Sequence, residues 1–247
     1  MAVDTPATIA VIGAGPIGIE AALYARFLGY DVRVYERARI VEHLLSAADQ
    51  SKTLLWNAQT SPLGIAALAA QCPGWQPPPA DQVLSAAELT EWYYLPLAQS
   101  DLLVDCVLVG TEVVMIDRDT EPGGGPIADD EVPGFRLRVR DARGEQIEKA
   151  DVVIDASGAV RGAGQSLHAG LRLGTEDQRP VWTPSASTTN PARLLTAEPD
   201  CYILGAKSAI DPEGFRVADG LAQIRDLFTM IADRVTLDLY ATIGAPR

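Results

Sequence analysis

Three glycines near the amino end have the spacing of a phosphate-binding turn. Gly13, Gly15 and Gly18 form the pattern Gly-x-Gly-x-x-Gly, with Pro16 and Ile17 between the last two. In such a turn the first glycine allows a tight bend, the second lets a pyrophosphate approach the backbone, and the third lets the helix pack closely. The helix that follows would offer free N–H groups and its positive dipole end to the phosphates. The pattern therefore predicts dinucleotide binding.

An acidic residue lies where the ribose of a dinucleotide would be held. Glu36 follows the next apolar run, and its carboxylate can accept hydrogen bonds from ribose hydroxyls. The same charge disfavours a 2′-phosphate at this site, although Arg37 and Arg39 reduce that repulsion. A glycine-rich turn that binds nothing is the alternative interpretation. The order of strand, glycines, helix and acid favours binding.

The elements that would position these groups follow from the apolar pattern. Residues 9–12 form a short apolar run typical of a buried parallel strand. Residues 17–28 carry an apolar stripe with helical spacing, and Gly29 predicts the end of that helix. Residues 32–35 predict a second strand. The amino-terminal part is thus predicted to be a strand–helix–strand unit of an α/β fold.

The rest of the chain does not continue this simple alternation of strands and helices. Residues from about 40 to 100 predict an insert of short helices and loops, in which Ser85 and Glu88 form a capping box and Pro96 interrupts a helix. Residues from about 110 to 149 predict an antiparallel β-excursion. Its alternation over 135–140 favours a solvated face for the arginines rather than a phosphate patch.

Further elements are predicted towards the carboxyl end. Strands are expected at 151–158 and at 201–205. Two further strands are predicted earlier in the chain, at Leu102–Val109 and Thr111–Asp117. Residues 159–200 are rich in Gly, Pro, Ser and Thr, which is typical of loops. The apolar spacing from about 215 to 235 predicts an amphipathic helix.

Composition excludes several classes of partner. The formal net charge of −13 argues against nucleic acid and anionic membrane surfaces as ligands. Hydrophobic residues make up 47% of the 247, which permits a large core. Glu20 and Arg26 interrupt the best candidate for a membrane span, and the amino end lacks the basic region of a signal peptide. Three separated cysteines without C-x-x-C fit a reducing compartment, so we expect a cytoplasmic protein.

Catalytic residues cannot be assigned from side-chain patterns. His43 and His168 are the histidines, and each is more typical of a solvated loop position than of a general base. No group of His, Cys or acidic residues has metal-ligand spacing, so no metal site is expected. The absence of G-x-S-x-G argues against a hydrolase.

Four separated segments resemble the FAD/NAD(P)-binding flavoprotein superfamily, which includes thioredoxin-reductase-like and flavin-monooxygenase-like enzymes. They are the glycine turn with Glu36, the excursion over 110–149, the segment VVIDASG at 152–158, and YILGAKS at 202–208. The resemblance implies a Rossmann-like FAD-binding fold, with a parallel sheet and helices on both faces. A small antiparallel excursion and a helical or loop insert are then expected within a single domain over residues 1–247.

The resemblance also implies a cofactor site. Ser157 stands where the family has the threonine of Ala-Thr-Gly, which keeps the hydroxyl. Ala206 stands where the family has the acid of Gly-Asp that binds the ribityl chain, and Lys207 and Ser208 are candidates to contact the cofactor instead. The predicted cofactor-binding residues come from these segments: Gly13, Gly15, Pro16, Ile17, Gly18, Glu36, Arg37, Ser157, Gly158, Gly205, Ala206 and Lys207.

We therefore expect an FAD-dependent oxidoreductase that acts on a small organic substrate, with the insert as substrate cover. Residues 159–200 offer too little room for a second dinucleotide domain, so electrons would come from the substrate, from transiently docked NAD(P)H or from an electron-transfer partner protein. A homodimer is compatible with this prediction. The alternatives are an NAD(H)-dependent oxidoreductase with the same pocket and a non-catalytic nucleotide-binding sensor or assembly subunit.

Overall fold

The structure is a computed structural model, and it describes residues 3–45, 53–119, 133–158, 191–196 and 198–244. The predicted glycine-rich loop tip at 123–126 lies outside these ranges. The same is true of most of the predicted loop at 159–200, including His168, and of the side chain of His43. The expectation that no second dinucleotide domain lies between Gly158 and Pro191 is therefore still a prediction.

Strands and α-helices both contribute to the described part of the chain. In the described ranges the strands are β1 (Thr8–Ile12), β2 (Asp31–Glu36), β3 (Thr53–Leu55), β4 (Val83–Ser85), β5 (Val107–Val109), β6 (Glu112–Arg118), β7 (Phe135–Asp141), β8 (Gly144–Ala150), β9 (Val152–Asp155) and β10 (Cys201–Ile203). The α-helices are α1 (Pro16–Phe27), α2 (Trp56–Gln59), α3 (Pro62–Gln71), α4 (Ala86–Leu89), α5 (Leu95–Ala98), α6 (Val217–Ile231) and α7 (Leu239–Gly244).

A five-stranded parallel sheet lies at the centre, in the order β10-β9-β1-β2-β5. Each neighbouring pair is parallel, and β1 is flanked by β2 and β9. The carboxyl ends of all five strands therefore meet at one edge of the sheet. The predicted α/β class and the predicted strand–helix–strand unit at the amino end are confirmed.

The two faces of this sheet are covered differently. Ile9 and Val11 belong to a core shared with helices α1, α3 and α6, whereas Ala10 and Ile12 belong to a second core. The antiparallel sheet β6-β7-β8 covers that second face. The prediction placed helices on both faces, but within the described ranges they pack on one. An apolar sheet surface serves as cover because hydrophobic burial is not directional.

The antiparallel sheet behaves as its alternating sequence predicts. Phe135, Leu137 and Val139 are buried against the parallel sheet, and Arg138 and Arg140 are exposed. Arg140 Nη2 lies 2.6 Å from Glu145 Oε1 on the neighbouring strand. The outward arginine is thus paired with a carboxylate on a solvated sheet face, as expected.

The insert between β2 and β5 is mainly helical. The expected helix near residue 40 is a 3₁₀ turn at Glu42–Leu45 instead. The Ser85–Glu88 capping box is confirmed, and the helix it starts passes through a π-helical segment, Thr90–Tyr94, before continuing as α5. The π segment ends just before Pro96, which cannot donate a helical hydrogen bond. The role of the insert as a substrate cover is still a prediction.

The predicted strand at 102–109 is confirmed only in its second half. Residues 101–106 form turns, in which Val104 N donates to Ser100 O and Cys106 N donates to Leu103 O. These local bonds use the donors that a strand ladder would need, so β5 begins at Val107. The predicted carboxyl-terminal helix is confirmed as α6, although it ends at Ile231.

Helices α1 and α6 lie against each other on the helical face. A Cβ atom added to Gly220 of α6 would lie 2.2 Å from Cδ1 of Ile17 in α1, so glycine permits this close contact. Among the helices that the structure describes, none has the length and apolar character required to cross a membrane.

Candidate dinucleotide-binding site

The glycine turn lies at the carboxyl end of β1 and leads directly into α1. Gly13 has a φ of +99°, and a Cβ atom there would lie 2.8 Å from Ser157 Cα and 2.9 Å from Ala156 O. A Cβ atom on Gly18 would lie 1.9 Å from Gly13 O. Side chains at these two positions would push the turn away from β9 or from α1. Both glycines are therefore required by the backbone geometry.

The amino end of α1 is uncapped by side chains of the described residues. Gly15 is the N-cap residue in an extended conformation, it has no side chain to bond the first-turn N–H groups, and no acidic residue lies in the first turn. Pro16 occupies the first helical position, where its missing N–H has no cost. Unsatisfied N–H groups and the positive dipole end are the features that bind phosphate.

Glu36 lies at the glycine turn and not merely at the end of β2. Its Oε2 accepts a hydrogen bond from Ala14 N at 2.8 Å, and its Oε1 accepts one from Ala38 N at 2.8 Å. Each carboxylate oxygen has two lone pairs, so acceptor capacity remains for ribose hydroxyls. Arg37 is exposed, whereas Arg39 is paired with Glu42 at 2.6 Å. Of these two arginines, Arg37 is the one that the described contacts leave for a ligand.

The end of β9 forms the wall opposite the turn. Asp155 pairs in register with Ile12, the residue before Gly13. Ser157 N and Ser157 Oγ both donate to Asp155 Oδ1, at 3.0 and 2.7 Å. Gly158 has a φ of +74°, which glycine adopts readily. The predicted residue Ser157 is thus brought against Gly13, and Gly158 is the next residue in the chain.

Lys207 belongs to a cluster that the sequence did not reveal. Its Nζ donates to both carboxylate oxygens of Asp155, at 2.9 and 3.1 Å, and to Ser157 Oγ at 2.6 Å. The Asp155 side chain is 1% exposed and that of Lys207 is 25% exposed. Asp155 was not among the predicted site residues. Its position directly before the small residues of VVIDASG was the available signal.

The turn after β10 is fixed by a buried glutamine. Gly205 has a φ of +82°, and its N–H donates to Oε1 of Gln223 in α6 at 2.8 Å. Ser208 is fully buried, and its hydroxyl donates to Gly205 O at 2.9 Å. The Ser208 side chain is therefore used inside the turn, whereas Ala206 and Lys207 are partly exposed.

A cleft of about 330 Å³ adjoins this turn at the amino end of α6. Gln223, Phe215 and Arg216 line it together with the acidic residues Asp211 and Asp219. Within the described ranges, no group of three or more His, Cys, Asp or Glu residues could hold a metal ion.

These elements place most of the predicted residues at one edge of the sheet. Ser157 lies against Gly13 and accepts a hydrogen bond from Lys207 Nζ. Glu36 is bonded to the turn through Ala14 N. A crevice at the carboxyl ends of parallel strands is the usual ligand position in open α/β sheets.

Residues 8–57 match the family model described as pyridine nucleotide-disulphide oxidoreductase. The match contains β1, the glycine turn, α1, β2 and the start of the insert. The resemblance to the FAD/NAD(P)-binding flavoprotein superfamily is confirmed for this segment. None of the curated protein sequences is similar enough to the chain to count as a match.

Several solved structures are similar to parts of the chain. Bacillithiol disulfide reductase Bdr from Bacillus cereus is 18% identical over 62% of this chain and 40% of its own, with a TM-score of 0.43. OTEMO in complex with FAD and NADP is 18% identical over 63% and 26%, with a TM-score of 0.42. S-allyl-L-cysteine S-oxygenase from Allium sativum is 18% identical over 62% and 36%, with a TM-score of 0.42. The chain spans less than half of the length of each.

Proposed function

We propose that this chain binds FAD in the crevice at the carboxyl edge of the parallel sheet and acts as an FAD-dependent oxidoreductase on a small organic substrate. The observation that carries the proposal is the turn at Gly13. The backbone of this turn lies in close contact with Ser157, and the Glu36 carboxylate accepts a hydrogen bond from Ala14 N within it. The family match over residues 8–57 supports it.

The residues of the crevice fit such a cofactor. The backbone of Gly13 and Gly15 and the uncapped end of α1 would hold the pyrophosphate, and Glu36 would accept from the adenosine ribose. Ser157, Gly158, Gly205 and the neighbouring Ala206 would border the rest of the molecule. FAD supplies the electron transfer when bound, whereas the chain binds it, orients it and limits its contact with water.

The substrate would need a cover, and the flavin would need a source of electrons. We propose that the insert covers the substrate, because its helices α2 to α5 share one core with α1, which begins at the glycine turn. We also propose one nucleotide site, since residues 159–200 have room for about one strand–helix–strand unit and a complete nucleotide-binding domain needs several. Electrons would then come from the substrate, from NAD(P)H in transient contact or from a partner protein.

One observation favours a second candidate. Ala206 cannot accept the hydrogen bond that the acid of Gly-Asp provides in the flavoproteins this chain resembles. An NAD(H)-dependent oxidoreductase would not need that acceptor. The antiparallel sheet β6-β7-β8, which matches the excursion expected of flavoproteins, favours FAD.

The decisive experiment identifies the nucleotide and tests the turn. The protein is denatured and any released nucleotide is identified by mass spectrometry, and the apoprotein is then titrated with FAD and with NAD⁺. Gly13→Ala should weaken FAD binding at least about tenfold, equivalent to about 1.4 kcal/mol, because its Cβ atom would displace Ser157.

Gly74→Ala is the matched control for Gly13→Ala. Gly74 also has a positive φ, of +80°, but a Cβ atom there meets nothing within 4 Å. Affinity for NAD(H) without affinity for FAD would decide for the second candidate. Absence of binding to either nucleotide would show that the proposal is wrong.

A further inference from the structure

The ion pair of Lys207 and Asp155 has a position that the proposed function does not explain. We propose that Lys207 is a positioning residue for the dinucleotide: it neutralises Asp155 beside the glycine turn and holds the Ser157 hydroxyl, so that a pyrophosphate can approach. The inference rests on the proposed function and names a residue that controls its affinity.

Asp155 lies at the end of β9, next to the glycine turn. Asp155 pairs with Ile12 across β1 and β9, so its carboxylate lies beside the strand residue that precedes Gly13. Through Ser157 the carboxylate is connected to the wall of the turn, because Ser157 Cα would lie 2.8 Å from a Cβ atom on Gly13. A charge on Asp155 therefore acts on whatever binds at that turn.

The buried carboxylate of Asp155 needs a neighbouring cation. The Asp155 side chain is 1% exposed, so water provides little screening of its charge. A buried carboxylate without a neighbouring cation would repel the two phosphates that the turn is shaped to hold. Lys207 supplies that cation at 2.9 Å, and the uncapped amino end of α1 faces the same turn.

The ammonium group of Lys207 fits the acceptors around it. A lysine ammonium has three N–H donors, and the two Asp155 oxygens and Ser157 Oγ match that number. Lys207 also joins the turn after β10 to the end of β9 through these bonds. It is therefore expected to act through Asp155 and Ser157, and not as a direct ligand of the phosphates.

A double-mutant cycle tests the proposal with cofactor affinity as the measurement. The variants are Lys207→Met, Asp155→Asn and the double variant, each titrated as apoprotein with FAD by fluorescence. Lys207→Met should weaken binding at least about tenfold. In the Asp155→Asn background the same change should alter affinity by less than about threefold, because no charge remains to be neutralised.

Controls separate charge compensation from general effects. Lys207→Arg keeps the positive charge and should restore most of the affinity that Lys207→Met loses. Lys149→Met removes a lysine that is 63% exposed and pairs with Asp119, so it changes the net charge equally and should leave FAD binding unchanged. Urea unfolding of each apoprotein reports stability independently of the cofactor.

Two results would overturn the inference. One is wild-type affinity in Lys207→Met, and the other is an equal loss in the wild-type and Asp155→Asn backgrounds, which would make Lys207 a direct ligand. If Lys207→Met does not fold, the comparison of Asp155→Asn with the double variant decides, and a difference of about tenfold there would contradict the proposal. A wild-type protein that binds no FAD would instead refute the proposed function.

Discussion

Glu20 is a carboxyl group placed in the apolar core. It lies on α1 and is 4% exposed, and its Oε1 accepts no hydrogen bond of normal geometry from the described residues. Burial raises the pKa of Glu20 to about 7, and the hydroxyls of Ser61, Tyr240 and Tyr93 lower that pKa only in part. The Glu20 carboxyl group therefore changes its charge near neutral pH.

We predict a pH-dependent stability that comes from this residue. The folded-state pKa of about 7 exceeds the ordinary value of 4.5, so the folded state holds the proton more tightly. The stability that comes from the proton on Glu20 is fully present below about pH 4.5 and is lost as the pH rises through about 7. The loss is about 3 kcal/mol in the free energy of unfolding.

Glu20→Gln should remove this dependence, because an amide does not ionise. At about pH 8 the variant should be more stable than the wild type, as measured by urea unfolding between about pH 5 and pH 8. Glu91→Gln, at an exposed glutamate, is the control and should leave the slope unchanged. An identical slope in Glu20→Gln and the wild type would count against the assignment.

At the scale of elements, the insert is held together by polar contacts at the start of α3. Ser61 caps α3 by accepting from Gly64 N at 2.8 Å, and Tyr93 OH accepts from Ser61 N at 3.1 Å. A Cβ atom on Gly64 would lie 2.0 Å from Tyr93 OH and 2.8 Å from Tyr93 Cζ. The π segment that carries Tyr93 is therefore fitted to a glycine in α3.

Gly64→Ala should destabilise the protein by about 1–3 kcal/mol, although alanine is the better helix former, because the tyrosine ring must move. Tyr93→Phe should cost about 1 kcal/mol through the lost hydrogen bond. The double variant should be less destabilised than the sum of the two, since the hydroxyl that causes the closest contact is absent. Strict additivity in urea unfolding would show that the two residues do not interact.

For the whole molecule, the two faces of the parallel sheet depend on different covers. The helices protect one face, and the sheet β6-β7-β8 protects the other, where Cys201 of β10 is 1% exposed. Leu137 is fully buried in that second core. Loss of packing there should expose the sheet without a direct effect on the helical face.

Leu137→Ala should lower the free energy of unfolding by about 2–5 kcal/mol, because it leaves a cavity between the two sheets. The thiol of Cys201 should then react faster with a thiol reagent under native conditions, as followed by mass spectrometry of the labelled peptides. Arg138→Ala, at an exposed position of the same strand, is the control. Unchanged labelling of Cys201 in Leu137→Ala would mean that the antiparallel sheet is not its cover.

Local features of this protein could be predicted from the sequence because neighbouring residues determine them. The glycine turn, α1, β2, the Ser85–Glu88 capping box and the alternation of β7 depend on backbone conformation, spacing and capping within a few residues. The boundaries of β5 and the 3₁₀ turn near residue 42 were not predicted, since local hydrogen bonds there compete with strand and helix.

Contacts between distant segments depend on how the whole chain folds. Lys207 and Asp155 are 52 positions apart, and Glu20 meets Ser61 and Tyr93 from separate elements. No spacing rule relates such residues, because the packing of strands and helices brings them together. The glycine turn and Glu36 could be located from the sequence because neighbouring residues determine them, whereas the fold determined which charges surround that turn and which surface covers each face of the sheet.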